Sequence, residues 1–377
     1  MSETDIEPHP TPAPQGGQQS FPWRRWPVLT AFLLALLVMA YAGAVNHPFV
    51  YDDIPLVVKN PAIRSLSNLP TIIGFHSDGF HLKNRWTRDV THALEFAAGG
   101  LNPALYHFTN ILLHGVVGLL IFIFFARLTR DRMAGWWAAA IFLVHPINTE
   151  VVSQVAGRRG LLAALFTMIF FLTMQRYLER QGAWRLAMGL LALYLAAFSK
   201  QIGVMAAPAF LLVAFYDRLQ KRREGSASPA GNLLSEAWRT FTERKILFTG
   251  IMLFALGLTL SLLAFAGDSP GLGGSPSFYE TAGPGLGLLD RARLGGMSFR
   301  LALFPVGQTV DYSYRALDMT AAGFTLPILL DLAFFLAGLI LTLAGLWRRS
   351  WLGFAGVWFV IFYLPVSGII SWHEVFA

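Results

Sequence analysis

The chain reads as an all-α polytopic membrane protein, for three reasons. Hydrophobic residues fill 55% of its 377 positions and charged residues only 14%, where a soluble domain carries about one-quarter charged residues. Apolar runs of about 15 to 24 residues recur from end to end, and a hydrocarbon core about 30 Å thick takes about 20 apolar residues. Mean hydropathy is +0.51. Together these exclude a soluble globular enzyme.

Taken in order, residues 1–27 open with Pro8, Pro10, Pro12, Pro14 and Pro22 among Gly, Gln and Ser. That composition buries too little apolar surface to offset ordering entropy, so this stretch is expected to be a disordered cytoplasmic tail. Arg24 and Arg25 precede the run 28–45, which exceeds the roughly 7 to 15 apolar residues of a signal peptide and is read as an uncleaved anchor. Further candidate spans are 103–126, 133–147, 160–176, 184–198, 202–216, 246–266, 323–346 and 351–370, with 291–306 ambiguous, giving nine or ten. Nine spans and a cytoplasmic N-terminus place most of the 29 Lys and Arg on the inner side, as the positive-inside bias requires. The net charge of +7 is then a topology signal, and no nucleic-acid partner is expected.

The segment 291–306 carries three arginines and two adjacent glycines, and is read as an external interfacial or re-entrant helix. The outer face then holds two large loops, 46–102 and 267–322, where function is expected. Within the first, amphipathic helices are expected near 62–74 and 88–98. The cytoplasmic loop 217–245 is basic and carries Gly, Ser and Pro, reading as a topology anchor and hinge. No cysteine is present, which excludes disulfides and thiolate chemistry.

Four places carry residues suited to chemistry. In NHPFVYDDIPLVVKNP, Asp52 and Asp53 stand side by side near the membrane surface. Adjacent carboxylates raise one another's pKa, and one accepts a proton while the other orients it. A lone Asp-Asp pair in a loop more often caps a following helix, here near Ile54. In YHFTNILLH, His107, Asn110 and His114 are spaced i, i+3, i+7, so one helix face carries three polar groups into the membrane. The turn HPINTEVVSQVAGRRG supplies His145, Glu150 and the pair Arg158 and Arg159, and Lys200 lies in the next outer turn. Guanidinium forks beside a helix start suit an anionic phosphate, while the plainer alternative is snorkelling to headgroups. Last, Asp311 beside Tyr312 suits sugar stacking and equally an interfacial aromatic belt. Neither a Walker motif nor a GxGxxG, HExxH, CxxC or GxSxG element occurs. No cofactor is indicated, and a divalent cation at the aspartates stays open.

In order, YDDIPLVVKNP, YHFTNILLH, HPINTEVVSQVAGRRGLLAALF, SKQIGV, LFPVGQTVDYS and FYLPVSGII resemble the membrane part of the transmembrane and tetratricopeptide-repeat O-mannosyltransferase family and its bacterial relatives. The resemblance covers about residues 28–377. It implies a GT-C-like bundle, a polyprenyl-phosphate sugar donor, with mannose among the candidate sugars, and inverting transfer to a protein or glycan hydroxyl on the outer or lumenal face. It also implies that an acidic residue of the first external loop, Asp52 or Asp53, acts as base or acceptor orienter. Arg158, Arg159 and Lys200 would then meet the donor phosphate. Where the family commonly has Lys-Glu, this chain reads Lys200-Gln201. The family pattern continues into an exported helical-repeat array, and no 34-residue period occurs here, so the repeats are expected on a longer chain or a separate one. The rival function is a transporter or flippase of polyprenyl-linked glycans, which calls for ionisable groups at mid-membrane. Here they gather at outer helix ends, favouring surface chemistry.

Overall fold

The computed structural model describes residues 26–73, 85–224, 233–266, 288–308 and 324–367. Among these the chain is helical, with no strand. The expected tail at 1–22 and the loop stretch around Asp311 and Tyr312 lie outside the described residues.

Fourteen α-helices run in chain order among the described residues: α1 Trp26–Tyr41, α2 Leu69–Ile73, α3 Trp86–Gly99, α4 Pro103–Thr129, α5 Arg132–Val144, α6 Thr149–Ser153, α7 Arg158–Glu179, α8 Ala183–Ser199, α9 Ala206–Glu224, α10 Leu233–Glu243, α11 Lys245–Ala266, α12 Leu288–Leu303, α13 Leu326–Trp347 and α14 Trp351–Tyr363. Six stretches are long and apolar enough to cross a bilayer: Pro27–Asn46, Pro103–Thr129, Val155–Glu179, Gln201–Lys221, Lys245–Leu262 and Leu326–Trp347. Three shorter apolar helices, α5, α8 and α14, join them, so all nine expected spans are helical. The protein is an all-α polytopic membrane protein.

Local chemistry sets the boundaries. Asn102 caps α4 by accepting from the Ala104 amide at 3.1 Å, with Pro103 in the first turn where its missing N–H costs nothing. Asp131 caps α5 through the Met133 amide at 2.7 Å. Between them Arg130 takes the left-handed conformation (φ 58°) that closes the α4–α5 hairpin. The last span, α14, passes at Tyr363 into the 3-10 turn Leu364–Val366, where Pro365 cannot continue an α-helical ladder.

The core lies where α4, α7, α8, α9, α11 and α14 meet. Phe124, Phe170, Phe171, Leu193, Phe210 and Phe248 are all but inaccessible there. Helix α1 packs outside α4 and α5, with Trp136 donating from Nε1 to the Leu29 carbonyl at 3.2 Å. Two connecting segments carry helix. The basic stretch 217–245 is largely helix: α9 runs on to Glu224, supported by a Lys221–Asp217 pair at 2.6 Å, and α10 follows. The ambiguous segment 291–306 falls in α12, which packs face to face on α13. Buried Asp331 of α13 accepts from Arg300 Nε at 2.8 Å and lies 3.6 Å from Arg293 Nε.

The turns at 130–131, 180–182 and 348–350 share one end of the bundle, and the first loop with the turns at 145–157 and 200–205 shares the other. At that second end the described residues of the first loop fold into a small lid. Its core joins Val57, Ile63, Ile72 and Ala93 to Tyr106 and Val155. The helices expected near 62–74 and 88–98 are there, the first as two 3-10 turns plus α2, the second as α3.

Candidate active site

The two aspartates part company. Tyr51 adopts φ 47°, an uncommon conformation for a residue with a side chain, and the chain turns immediately before the pair. Asp53 is inaccessible. Its Oδ1 accepts from the Ala156 amide at 2.7 Å and its Oδ2 from the Val50 amide at 3.1 Å. Burial pushes its carboxyl above the usual carboxylate range, against the pull of those two N–H donors. It does not cap the π-helical turn Ile54–Val58 that follows, although it stands at the capping position. Asp52 is exposed.

Asp52 faces cations. It lies within electrostatic reach of Arg85, just before α3, and of Arg159, in the first turn of α7. Arg159 in turn feels Arg88 and Glu150, and Lys200 feels Arg159, Arg85 and Glu150. These residues come from four separate segments yet form one charged recess at the lid end. Burial, then the neighbouring Arg159 and Arg85 cations, lower the Lys200 ammonium to about 8. Burial, then Arg159 and Arg88, lower Arg85 to about 9, while Asp52 and Asp89 pull it up. Arg88 is inaccessible and paired to Asp89, Nε to Oδ1 at 2.8 Å; its Nη1 has no hydrogen-bond partner among the described residues.

Two glycines let the cationic turns close. A side chain on Gly157 would collide with the Val151 backbone, and one on Gly203 with the Ala196 backbone. Only glycine permits the turns that present Arg159 and Lys200. The start of α3 is tied to the end of α8 by Thr87 Oγ1, which donates to Ser199 Oγ at 2.9 Å. Gln201, where a carboxylate was expected by resemblance, is buried and its Oε1 accepts from Arg85 Nη2 at 3.5 Å.

Arg158 occupies a different place from its neighbour. It is fully buried, and each of its nitrogens is engaged by protein: Nε with Asn110 Oδ1 at 2.8 Å, Nη2 with the Tyr106 carbonyl at 2.7 Å, Nη1 with Glu95. The carboxylate of Glu95 reaches it from α3, so the contacts the structure gives Arg158 are to the protein itself. Despite burial, which opposes ionisation, His92 and Arg158 hold the Glu95 carboxyl below its usual range. His92, whose Nδ1 is 3.2 Å from Glu95, is lowered to about 4, chiefly by burial.

Of the polar stripe on α4, Asn110 serves the same joint and the two histidines pack elsewhere. Asn110 donates to the Gln154 carbonyl at 2.9 Å, His107 meets His47 edge-on at 6.2 Å, and His114 lies lower, 3.2 Å from the Leu143 carbonyl. His145 Nδ1 accepts from the Ile147 amide at 3.2 Å, and Glu150 is exposed. Gln308, at the edge of the second loop, reaches the Pro146–Ile147 turn at 3.3 Å. Among the described residues no group of three His, Asp or Glu side chains converges as a metal site. Arg85, Arg88, Gln201 and Glu95 were not among the expected site residues. The signal for Arg88 and Glu95 is their spacing with His92 along one face of a helix, and that for Gln201 is the Lys-Gln in place of Lys-Glu.

No protein-family model matches the chain, and no solved structure matches it. It is similar to protein O-mannosyl-transferase Tmtc1 of Drosophila melanogaster, 28% identical over 183 residues, which is 46% of this chain and 21% of that protein. Human protein O-mannosyl-transferase TMTC1 is 31% identical over 187 residues, 45% of this chain and 21% of the relative. Human TMTC2 is 29% identical over 251 residues, 62% and 27% respectively. The chain thus spans about a fifth to a quarter of the length of these relatives. Over 45% to 62% of its length the chain is thus similar to protein O-mannosyl-transferases of the fly and of humans.

Proposed function

We propose that this chain is a membrane glycosyltransferase that moves a sugar from a polyprenyl-phosphate donor to a hydroxyl of a protein or glycan, at the lid end of the bundle on the outer or lumenal face. The observation that carries the reading is an exposed carboxylate, Asp52, within electrostatic reach of Arg85 and Arg159, to which Lys200 is coupled in turn. The names of the relatives support the transferase class.

In this reading Asp52 takes the acceptor hydroxyl proton as the acceptor oxygen forms its bond to the anomeric carbon. The bond from that carbon to the phosphate oxygen breaks, and the electron pair leaves with the polyprenyl phosphate. Arg159, Lys200 and Arg85 stabilise the charge that develops there. Because phosphate leaves without needing a proton, one carboxylate suffices. Asp53 positions the loop and does not touch substrate. Glu150 would flank the sugar.

The test is sugar transfer in proteoliposomes from a panel of polyprenyl-phosphate sugars to peptide acceptors, with wild type, Asp52→Asn and Arg159→Gln. Transfer by wild type that disappears in Asp52→Asn, with the variant still folded, supports the reading. Transfer undiminished in Asp52→Asn removes Asp52 as the base. Flipping of the lipid-linked sugar without transfer replaces the reading by a transporter.

A further inference from the structure

At the end of the bundle opposite the charged recess, a cleft of about 590 Å³ opens between α8 and α11. Its floor is apolar, made by Leu186, Leu190, Ile251 and Phe254. Its mouth is polar and holds Arg244 and Lys245, at the junction of α10 and α11. Glu243 is also at the mouth, but its carboxylate is paired with Arg218, Oε1 to Nη2 at 2.8 Å, so the mouth is cationic. Gly250 lies on the wall with nothing within 4 Å of where a side chain would stand, which leaves the trough open along α11.

The surroundings place this mouth at the level of a membrane surface. Helix α11 begins at Lys245 and is apolar from Ile246 onward, so its first turn marks the edge of the hydrocarbon. Helix α10 just before it is strongly amphipathic, and its Trp238 and Arg239 are exposed, as in helices that lie in the interface. A trough that is apolar below and cationic above, at that depth, complements one class of molecule.

We propose that the α8–α11 cleft binds an anionic phospholipid of the surrounding bilayer, with its phosphate at Arg244 and Lys245 and one acyl chain along Leu186, Leu190 and Phe254. The occupant is taken from the charge of the mouth and the apolar floor, and the proposal stands apart from the transfer reaction at the other end.

Native mass spectrometry of the protein, after exchange into mixed micelles containing equal phosphatidylglycerol and phosphatidylcholine, tests it. Two cations at a membrane surface favour the anionic lipid by roughly 30-fold, so wild type is expected to retain phosphatidylglycerol preferentially. Arg244→Gln/Lys245→Gln is expected to lose that preference, and Gly250→Trp, which fills the trough, to lose retention of either lipid. Asp52→Asn, in the distant recess, is expected to retain lipid as wild type does. Equal retention of the two lipids by wild type overturns the proposal, as does a preference unchanged in both cleft variants. Arg244 also donates to the Leu178 carbonyl at 3.2 Å. The single variant Lys245→Gln, which leaves that bond in place, therefore serves as a second reading should the double variant melt early, with partial loss expected and no loss overturning the idea.

Discussion

Asp53 accepts the backbone amide of Ala156 at 2.7 Å across 103 residues of chain, while its neighbour Asp52 is exposed and within electrostatic reach of Arg159, three residues beyond Ala156. One carboxylate anchors the first loop to the turn before α7, and the anchor brings the other to the cations. The roles separate experimentally. Asp53→Ala leaves two amides without an acceptor, one of them buried, and is expected to cost about 1–3 kcal/mol of stability. Asp52→Ala is expected to change stability by less than about 0.5 kcal/mol and to lower transfer by about 10² to 10⁴-fold, the usual contribution of a general base. Thermal melts in detergent beside turnover in proteoliposomes give both columns. Equal melting losses in the two variants would contradict the division.

The buried pair of Arg158 and Glu95 joins α7 to α3 with both side chains almost wholly out of water. Removing one partner leaves an uncompensated charge, so Glu95→Gln or Arg158→Met is expected to destabilise by about 3–5 kcal/mol. The double replacement Glu95→Leu/Arg158→Met removes both charges and is expected to recover much of that loss. A double variant as unstable as the sum of the singles, measured by denaturation in mild detergent, would mean that the pair's geometry rather than its charge balance holds the lid.

The contrast between these two joints explains what is readable in the sequence. Helical spans are local: an apolar run of the right length has few alternatives in a bilayer, so each of the nine expected runs is helical, six of them long enough to cross, and α4 and α13 lie within a few residues of their apolar runs. The site is not local. Nothing in Tyr-Asp-Asp says which carboxylate is buried, because that depends on an amide 103 residues away. Likewise Arg158 and Arg159 are identical neighbours in sequence, and the difference between them comes from Glu95, 63 residues earlier. Periodicity along α3 places Arg88, His92 and Glu95 on one face, but an interfacial helix turns such a face to water more often than to protein. Gln201 shows the same limit: the lost carboxylate is visible in sequence, and its replacement contact with Arg85 is not.

Gly157 connects backbone to chemistry. Gly157→Ala puts a methyl group against the Val151 carbonyl, so the turn must shift, and Arg159 shifts with it. Overpacking of this kind costs about 1–3 kcal/mol, and the expected signature is a lower melting temperature together with a raised KM for the lipid-linked donor. The same substitution at Gly160, whose side chain would meet only the flexible Val151 methyl at 3.2 Å, is expected to be milder on both counts. Identical effects at the two positions would show that the turn before α7 is not what places Arg159.

Lys200 makes donor binding sensitive to alkaline pH. Its ammonium is lowered from 10.5 to about 8, first by burial and then by Arg159 and Arg85. A lowered pKa on a cation means that the charged form is the one held at neutral pH and lost as pH rises through about 8, well before an ordinary lysine would titrate. If that charge meets the donor phosphate, the KM for donor is expected to climb between about pH 7.5 and 9, with a smaller change in kcat, since the interaction is made in the ground state as well as in the transition state. Lys200→Arg keeps its charge throughout this range, because a guanidinium ordinarily titrates above about 12, and is expected to flatten the lower part of the profile while leaving activity at pH 7 within a few-fold. Lys200→Gln is expected to show the high-pH KM already at pH 7. An unchanged profile in Lys200→Arg would assign the alkaline limb to another group and withdraw Lys200 from the phosphate site.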